Sequence, residues 1–264
     1  MKRILLGIGA VLAVLGVIAL VYLIRLTAPI EVSSTPPAAS TLVVPTRDTV
    51  AETAGPTSTT NSVQTDPVVT GTTEPMVEAS PTLASAARVY RIEPNLSQAT
   101  YRVGETFFDQ RGFVIAVGTT NAVAGDILVD PANLPASQVG EIVVDISQLR
   151  TDEPMRDNAI RREWLQSARY PLARFNNGRI TGIPATVTEG QPFKFQITGD
   201  MTVRLVTKPV TWDAEATIEG DTLRATATTR LKMSDFGVEP PSLLDLRVED
   251  DVELTLDFVA NAVD

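Results

Sequence analysis

The chain has 264 residues, a formal net charge of −10, and neither cysteine nor histidine. Lacking cysteine, it has no disulfide framework, thiolate nucleophile or sulfur-based metal cage. Lacking histidine, it is without the commonest general base and the commonest transition-metal ligand. Its lysines and arginines are scattered rather than gathered into a stripe, which excludes the usual footprint of a nucleic-acid partner.

Met1, Lys2 and Arg3 precede an uncharged apolar run from Ile4 to Ile24, closed by Arg25. As a helix rising ~1.5 Å per residue, the run spans about 30 Å, the thickness of a bilayer's hydrocarbon core. Cleavable signal peptides carry shorter apolar regions followed by a small-residue cleavage site. Residues 1–26 are therefore read as an uncleaved transmembrane anchor. The leading positive charges place its N-terminus in the cytoplasm and everything after it outside. Residues 27–87 change character, with Ser, Thr, Pro, Ala and Val dominating and almost no aromatic residue. Such a stretch buries too little apolar surface to offset its chain entropy and reads as a disordered linker.

From Arg88 to Asp264 the pattern is alternation. Ala99, Tyr101 and Val103 alternate with polar residues, and so do Ile142, Val144 and Ile146 further on. Leu223, Ala225, Ala227 and Leu231 do the same, then Val252, Leu254, Leu256 and Phe258. Period-two alternation gives strands with one wall toward a core and one toward water. The longest example runs from Phe193 to Ile218. Its apolar residues occupy odd positions through Leu205 and even positions from Val210 onward. The change of phase around Lys208 and Pro209 places a hairpin turn there, because proline is poorly placed inside a central strand. Gly220-Asp221 marks the next turn. About eight such strands predict an all-β, antiparallel eight-stranded barrel.

One stretch breaks the alternation. Between Asp152 and Gln166, Met155, Ala159, Ile160 and Trp164 recur at helical spacing, and Pro154 sits where a first helical turn tolerates it. A single short helix capping the barrel follows, with Trp164 as a plug in the core. The adjacent Arg156 and Asp157 could contact a ligand headgroup, but a buried or half-buried ion pair pinning this helix to the barrel rim is the expected role. Small residues on the inner faces (Ala214, Ala216, Ala225 and Ala227) leave room for a ligand in a barrel of this size. The larger Phe193, Phe195 and Trp212 could instead fill that space.

These fragments, taken in order, resemble the YceI-like family. The resemblance rests on Tyr90 to Pro94, on Ser97 to Val103, on Val117 to Thr120 with Val123 to Ile127, and on Thr151 with Arg156-Asp157. It continues through Tyr170-Pro171 with Phe175, through Thr198 to Val203, and through Val206 to Val210. The chain departs from the family in having no histidine and in placing Leu205 where glycine is usual. Leucine tolerates a positive φ poorly, so the turn there is expected to be built differently.

The resemblance implies a lipocalin-like barrel that binds polyisoprenoids or related lipids. On that footing residues 88–264 form the barrel domain, and the chain is a membrane-tethered, extracytoplasmic lipid binder rather than an enzyme. An isoprenoid-like lipid or quinone is the expected partner, and no cofactor or metal is expected. Face assignment nominates Phe193, Phe195, Ile197, Met201, Trp212, Ala214, Ala216 and Ala225 as the ligand-binding wall. The alternative is a cell-envelope interaction module with a filled barrel and a protein partner. No serine elbow, phosphate loop or dinucleotide motif is present. The acidic residues Asp245, Glu249, Asp250 and Asp251 lack the spacing of a calcium loop and read as a solvated edge.

Overall fold

The computed structural model describes residues 36–42, 87–109 and 111–263. The predicted anchor lies outside the described residues, as does most of the predicted linker. Among the described residues no helix is long and apolar enough to cross a membrane.

Ten strands form one antiparallel sheet: β1 (Arg88–Ile92), β2 (Gln98–Phe107), β3 (Gly112–Thr120), β4 (Val123–Val129) and β5 (Gln138–Asp145), then β6 (Leu172–Thr181), β7 (Phe193–Val203), β8 (Val206–Glu219), β9 (Thr222–Lys232) and β10 (Leu246–Val263). Eight of them close into the expected barrel, in the order β1-β4-β5-β6-β7-β8-β9-β10, with β1 pairing back onto β10. The remaining two, β2 and β3, form a hairpin on β10. They pair along its first part, while β1 takes its last residues. At 18 residues β10 is long enough to serve both neighbours.

The hairpin of β7 and β8 has the predicted parity but a different turn. Val203 pairs with Val206, so the turn residues are Arg204 and Leu205. A two-residue turn exchanges odd for even positions, which produces the phase change. Lys208 and Pro209 lie inside β8, opposite Met201 and Asp200. Proline is tolerated because the ladder between β8 and β9 begins only at Asp213, leaving the other edge unpaired at Pro209. The left-handed residue is Arg204 (φ 56°) rather than Leu205. Its guanidinium Nη1 donates to the carbonyls of Gly237 (2.9 Å) and Trp164 (3.2 Å), which holds the strained backbone in place. The turn at Gly220 falls where the sequence places it.

The predicted helix is shorter than its periodicity suggests. Helix α1 covers Pro154–Ala159, with Pro154 in its first turn and the Glu153 side chain accepting from the Met155 amide. A π-helical turn, Ile160–Trp164, follows and is closed by a bond from the Leu165 amide to the Ile160 carbonyl. This segment covers the end of the barrel formed by the last residues of β2, β5, β7 and β9. Met155 does not join the core: it is 79% exposed.

Part of the predicted linker lies on the barrel. Ser40 donates through its amide and its hydroxyl to the Glu141 carboxylate (3.0 and 2.9 Å), and the Leu42 amide donates to Asp126 (3.1 Å). Pro37 is buried. Gly140 on β5 makes the contact possible, since a Cβ there would lie 3.0 Å from Leu42 Cγ and 2.8 Å from the Asp126 carbonyl.

Candidate functional site

The inner faces of the barrel strands line a cavity of about 290 Å³. It runs from Leu134, Phe193 and Leu223 at one end to Ile160, Trp164 and Leu165 at the end covered by the helical segment. Almost every wall residue is apolar, as the alternation requires.

The structure brings seven of the eight predicted residues to this wall. Phe193, Phe195, Ile197 and Met201 project from β7, Trp212 and Ala216 from β8, and Ala225 from β9. Phe193 and Phe195 stack with ring centroids 5.7 Å apart, and Phe175 meets Trp212 edge to face at 6.3 Å. Ala214 is buried and sits between Trp212 and Ala216 on the same face, but it does not line the cavity. The large aromatics therefore leave space rather than filling the barrel. Trp164 lines the cavity too, at its covered end.

Sequence reasoning missed the polar part of the site. Along β2, Ala99, Tyr101, Val103 and Glu105 all face inward, so the alternation ends on a carboxylate. Glu105 is 4% exposed and receives Arg156 from α1 in a bidentate pair, Nε to Oε1 at 3.0 Å and Nη2 to Oε2 at 2.9 Å. Nη1 of Arg156 donates to Asp152 at 2.7 Å. Arg156 thus pins the helix to β2 rather than to its neighbour Asp157. Asp157 instead accepts from the amide and hydroxyl of Thr151 and stands 3.9 Å from Arg161. Burial works against the Arg156 charge, but the bonds from Glu105 and Asp152 outweigh it and raise its pKa further. Facing the same end, Tyr101 has its phenol pushed well up by burial, so it stays neutral. The one sequence signal for this group was the inward parity of Glu105.

Among the described residues, two buried polar atoms on the wall have no partner: Tyr101 Oη and Trp212 Nε1. The Tyr101 ring packs against Gly118 on β3, where an added Cβ would overlap a ring carbon.

Near the start of β10, Asp245, Glu249 and Asp251 are exposed. Asp250 accepts from the Ser234 hydroxyl and amide (2.6 and 2.8 Å), which holds its carboxyl below the usual range. Among the described residues no cluster of acidic groups is placed to hold a metal ion.

A family model described as the YceI-like domain matches residues 90–260. A UPF0312 protein of Vibrio parahaemolyticus is 31% identical over 134 residues, covering 48% of this chain and 67% of that protein. Among solved structures, BcnA of Burkholderia cenocepacia aligns with a TM-score of 0.53 at 18% identity, over 64% of this chain and 99% of that one. A polyisoprenoid-binding domain from Saccharophagus degradans aligns with a TM-score of 0.48 at 10% identity, over 66% of this chain and 98% of that one. At 18% identity the BcnA match speaks to the fold alone.

Proposed function

Because the chain belongs to the YceI-like family, whose domain spans its residues 90–260, we propose that its barrel sequesters or carries an isoprenoid-like lipid or quinone. In this reading it does so outside the cytoplasm, tethered by the apolar N-terminal run. The observation that carries the proposal is the nearly all-apolar cavity inside the barrel. Apolar space of this kind gains by taking up an apolar chain, at about 25 cal/mol per Å² buried before ordering costs.

A filled barrel serving as an envelope interaction module requires the cavity to be absent, and its volume weighs against that. Catalysis by carboxylates alone finds little support on the cavity wall. Glu105 is the one carboxylate there, and both its oxygens are engaged by Arg156.

The test is to purify the protein from its own host without detergent, extract it with organic solvent and identify co-purifying lipids by mass spectrometry. Native mass spectrometry supplies the stoichiometry. One stoichiometric isoprenoid or quinone supports the reading and names the cargo. A clean apo protein that also refuses added isoprenoids overturns it in favour of the interaction module.

A further inference from the structure

The cavity is apolar but not featureless, and its exceptions differ in kind. Tyr101 Oη and Trp212 Nε1 are buried and unpartnered on the wall. A buried donor without an acceptor is destabilising, whereas the same donor facing a ligand oxygen becomes a recognition contact. Indole N–H can only donate, and phenol O–H can donate or accept. The sheet links the two residues: Tyr101 pairs with Leu254, Leu254 pairs with Thr229, and the Thr229 hydroxyl donates to the carbonyl of Thr211 beside Trp212. Both also pack against the cluster of Ile146, Leu149, Ala173 and Phe236 toward the helix-covered end.

The charged pair that faces the cavity is already satisfied, with all three nitrogens of Arg156 on carboxylates. Arg174 alternates with the buried Ala173 and Phe175, and its Nη1 donates at 2.6 Å to Glu141, the carboxylate that also receives Ser40. These two arginines are the cations among the lining residues. A phosphate would have to displace Glu105, which is 4% exposed, to reach the Nε–Nη2 edge of Arg156, leaving a buried carboxylate uncompensated. Both nitrogens of that guanidinium fork are already taken.

Resting on the lipid-binding reading above, we propose that the cavity selects lipids whose apolar chain ends in an uncharged hydrogen-bond acceptor. A carbonyl or ether oxygen taken by Trp212 Nε1 and Tyr101 Oη fits, and a phosphorylated chain end does not. Tyr101 and Trp212 are the specificity-determining residues, and the Arg156–Glu105 pair excludes anions.

The experiment uses the full chain in lipid nanodiscs, with empty nanodiscs subtracted. Three probes share one branched chain: phytane, which has no headgroup, the ketone phytone, and phytyl phosphate. Bound ligand is counted by mass spectrometry at equilibrium. Phytone is expected to bind about fivefold more tightly than phytane and at least about tenfold more tightly than phytyl phosphate. Tyr101→Phe and Trp212→Phe should each lower the phytone-to-phytane affinity ratio about fivefold, with thermal melts showing that the variants fold. Phytyl phosphate held as tightly as phytone overturns the inference. So do variants that weaken phytane as much as phytone, or a wild type that retains phytane and phytone equally. Failure of the wild type to retain any of the three probes sinks the lipid-binding reading and this inference together.

Discussion

Arg156 and Glu105 stand 51 positions apart in sequence, yet they meet through two parallel nitrogen–oxygen contacts of 3.0 and 2.9 Å while largely withdrawn from water. A pair in this setting adds little over a well-packed apolar pair, but breaking it on one side leaves a buried charge. Arg156→Met is therefore expected to cost about 3–5 kcal/mol in chemical denaturation. The double variant Arg156→Met, Glu105→Leu should recover most of that loss, and a double variant no more stable than the single one would contradict the argument.

Ala216 offers a way to fill the cavity. It is 3% exposed and lies between Phe193 and Ala225 on the inner face. In a filled core a tryptophan here would cost about 1–3 kcal/mol by overpacking. Beside an existing cavity, Ala216→Trp should cost about 1 kcal/mol or less and abolish uptake of an apolar ligand. Thermal melts and lipid extraction on the same preparation check both halves.

Gly118 supports Tyr101 from behind. Gly118→Ala drives a methyl into the Tyr101 ring and is expected to destabilise the barrel by about 1–3 kcal/mol. Because the ring must move, affinity for a carbonyl-bearing lipid should fall as well. Unaltered affinity in a folded variant would show that the position of the ring does not matter.

At the β7–β8 turn two substitutions separate strain from hydrogen bonding. Arg204→Ala and Arg204→Gly both lose the contacts to Trp164 and Gly237, but only glycine relieves the left-handed backbone. The glycine variant should be the more stable of the two by about 1 kcal/mol in urea titration.

Acid should loosen the docked segment, residues 36–42. Burial works to raise the Glu141 pKa, but the bonds from Arg174 and Ser40 outweigh it and hold the carboxyl below its ordinary 4.5. A depressed folded value means the contribution is complete above that ordinary value and is lost as the pH falls through the lower one. Hydrogen exchange at Ser40 and Leu42 should therefore be slow at neutral pH and rise relative to the barrel strands below about pH 4. Glu141→Gln should show the loosened behaviour at neutral pH.

Much of this architecture was legible because period-two alternation is a local signal that survives without knowledge of the partners. It placed the strands, gave their inner faces, and put seven of eight nominated residues on the cavity wall. It failed at the hairpin turn, where Pro209 was read as a terminator. Whether proline is tolerated depends on an unpaired edge, which is a property of the neighbouring strand. The Arg156–Glu105 pair and the unpartnered Tyr101 and Trp212 were out of reach for the same reason. A side chain's hydrogen-bond state is decided by groups far away in sequence. Composition likewise described the linker's average and could not single out Ser40 and Leu42, whose contacts depend on the missing side chain at Gly140.

Those contacts also move the border of the folded unit. The barrel is gripped at Ser40 and Leu42 as well as entered at Ala87. A fragment trimmed to begin at Arg88 keeps every strand but leaves Glu141 and Asp126 without those donors and uncovers the strip of β5 at Gly140. The smallest complete unit is therefore larger than the barrel, and it includes a stretch that strand pairing alone would discard.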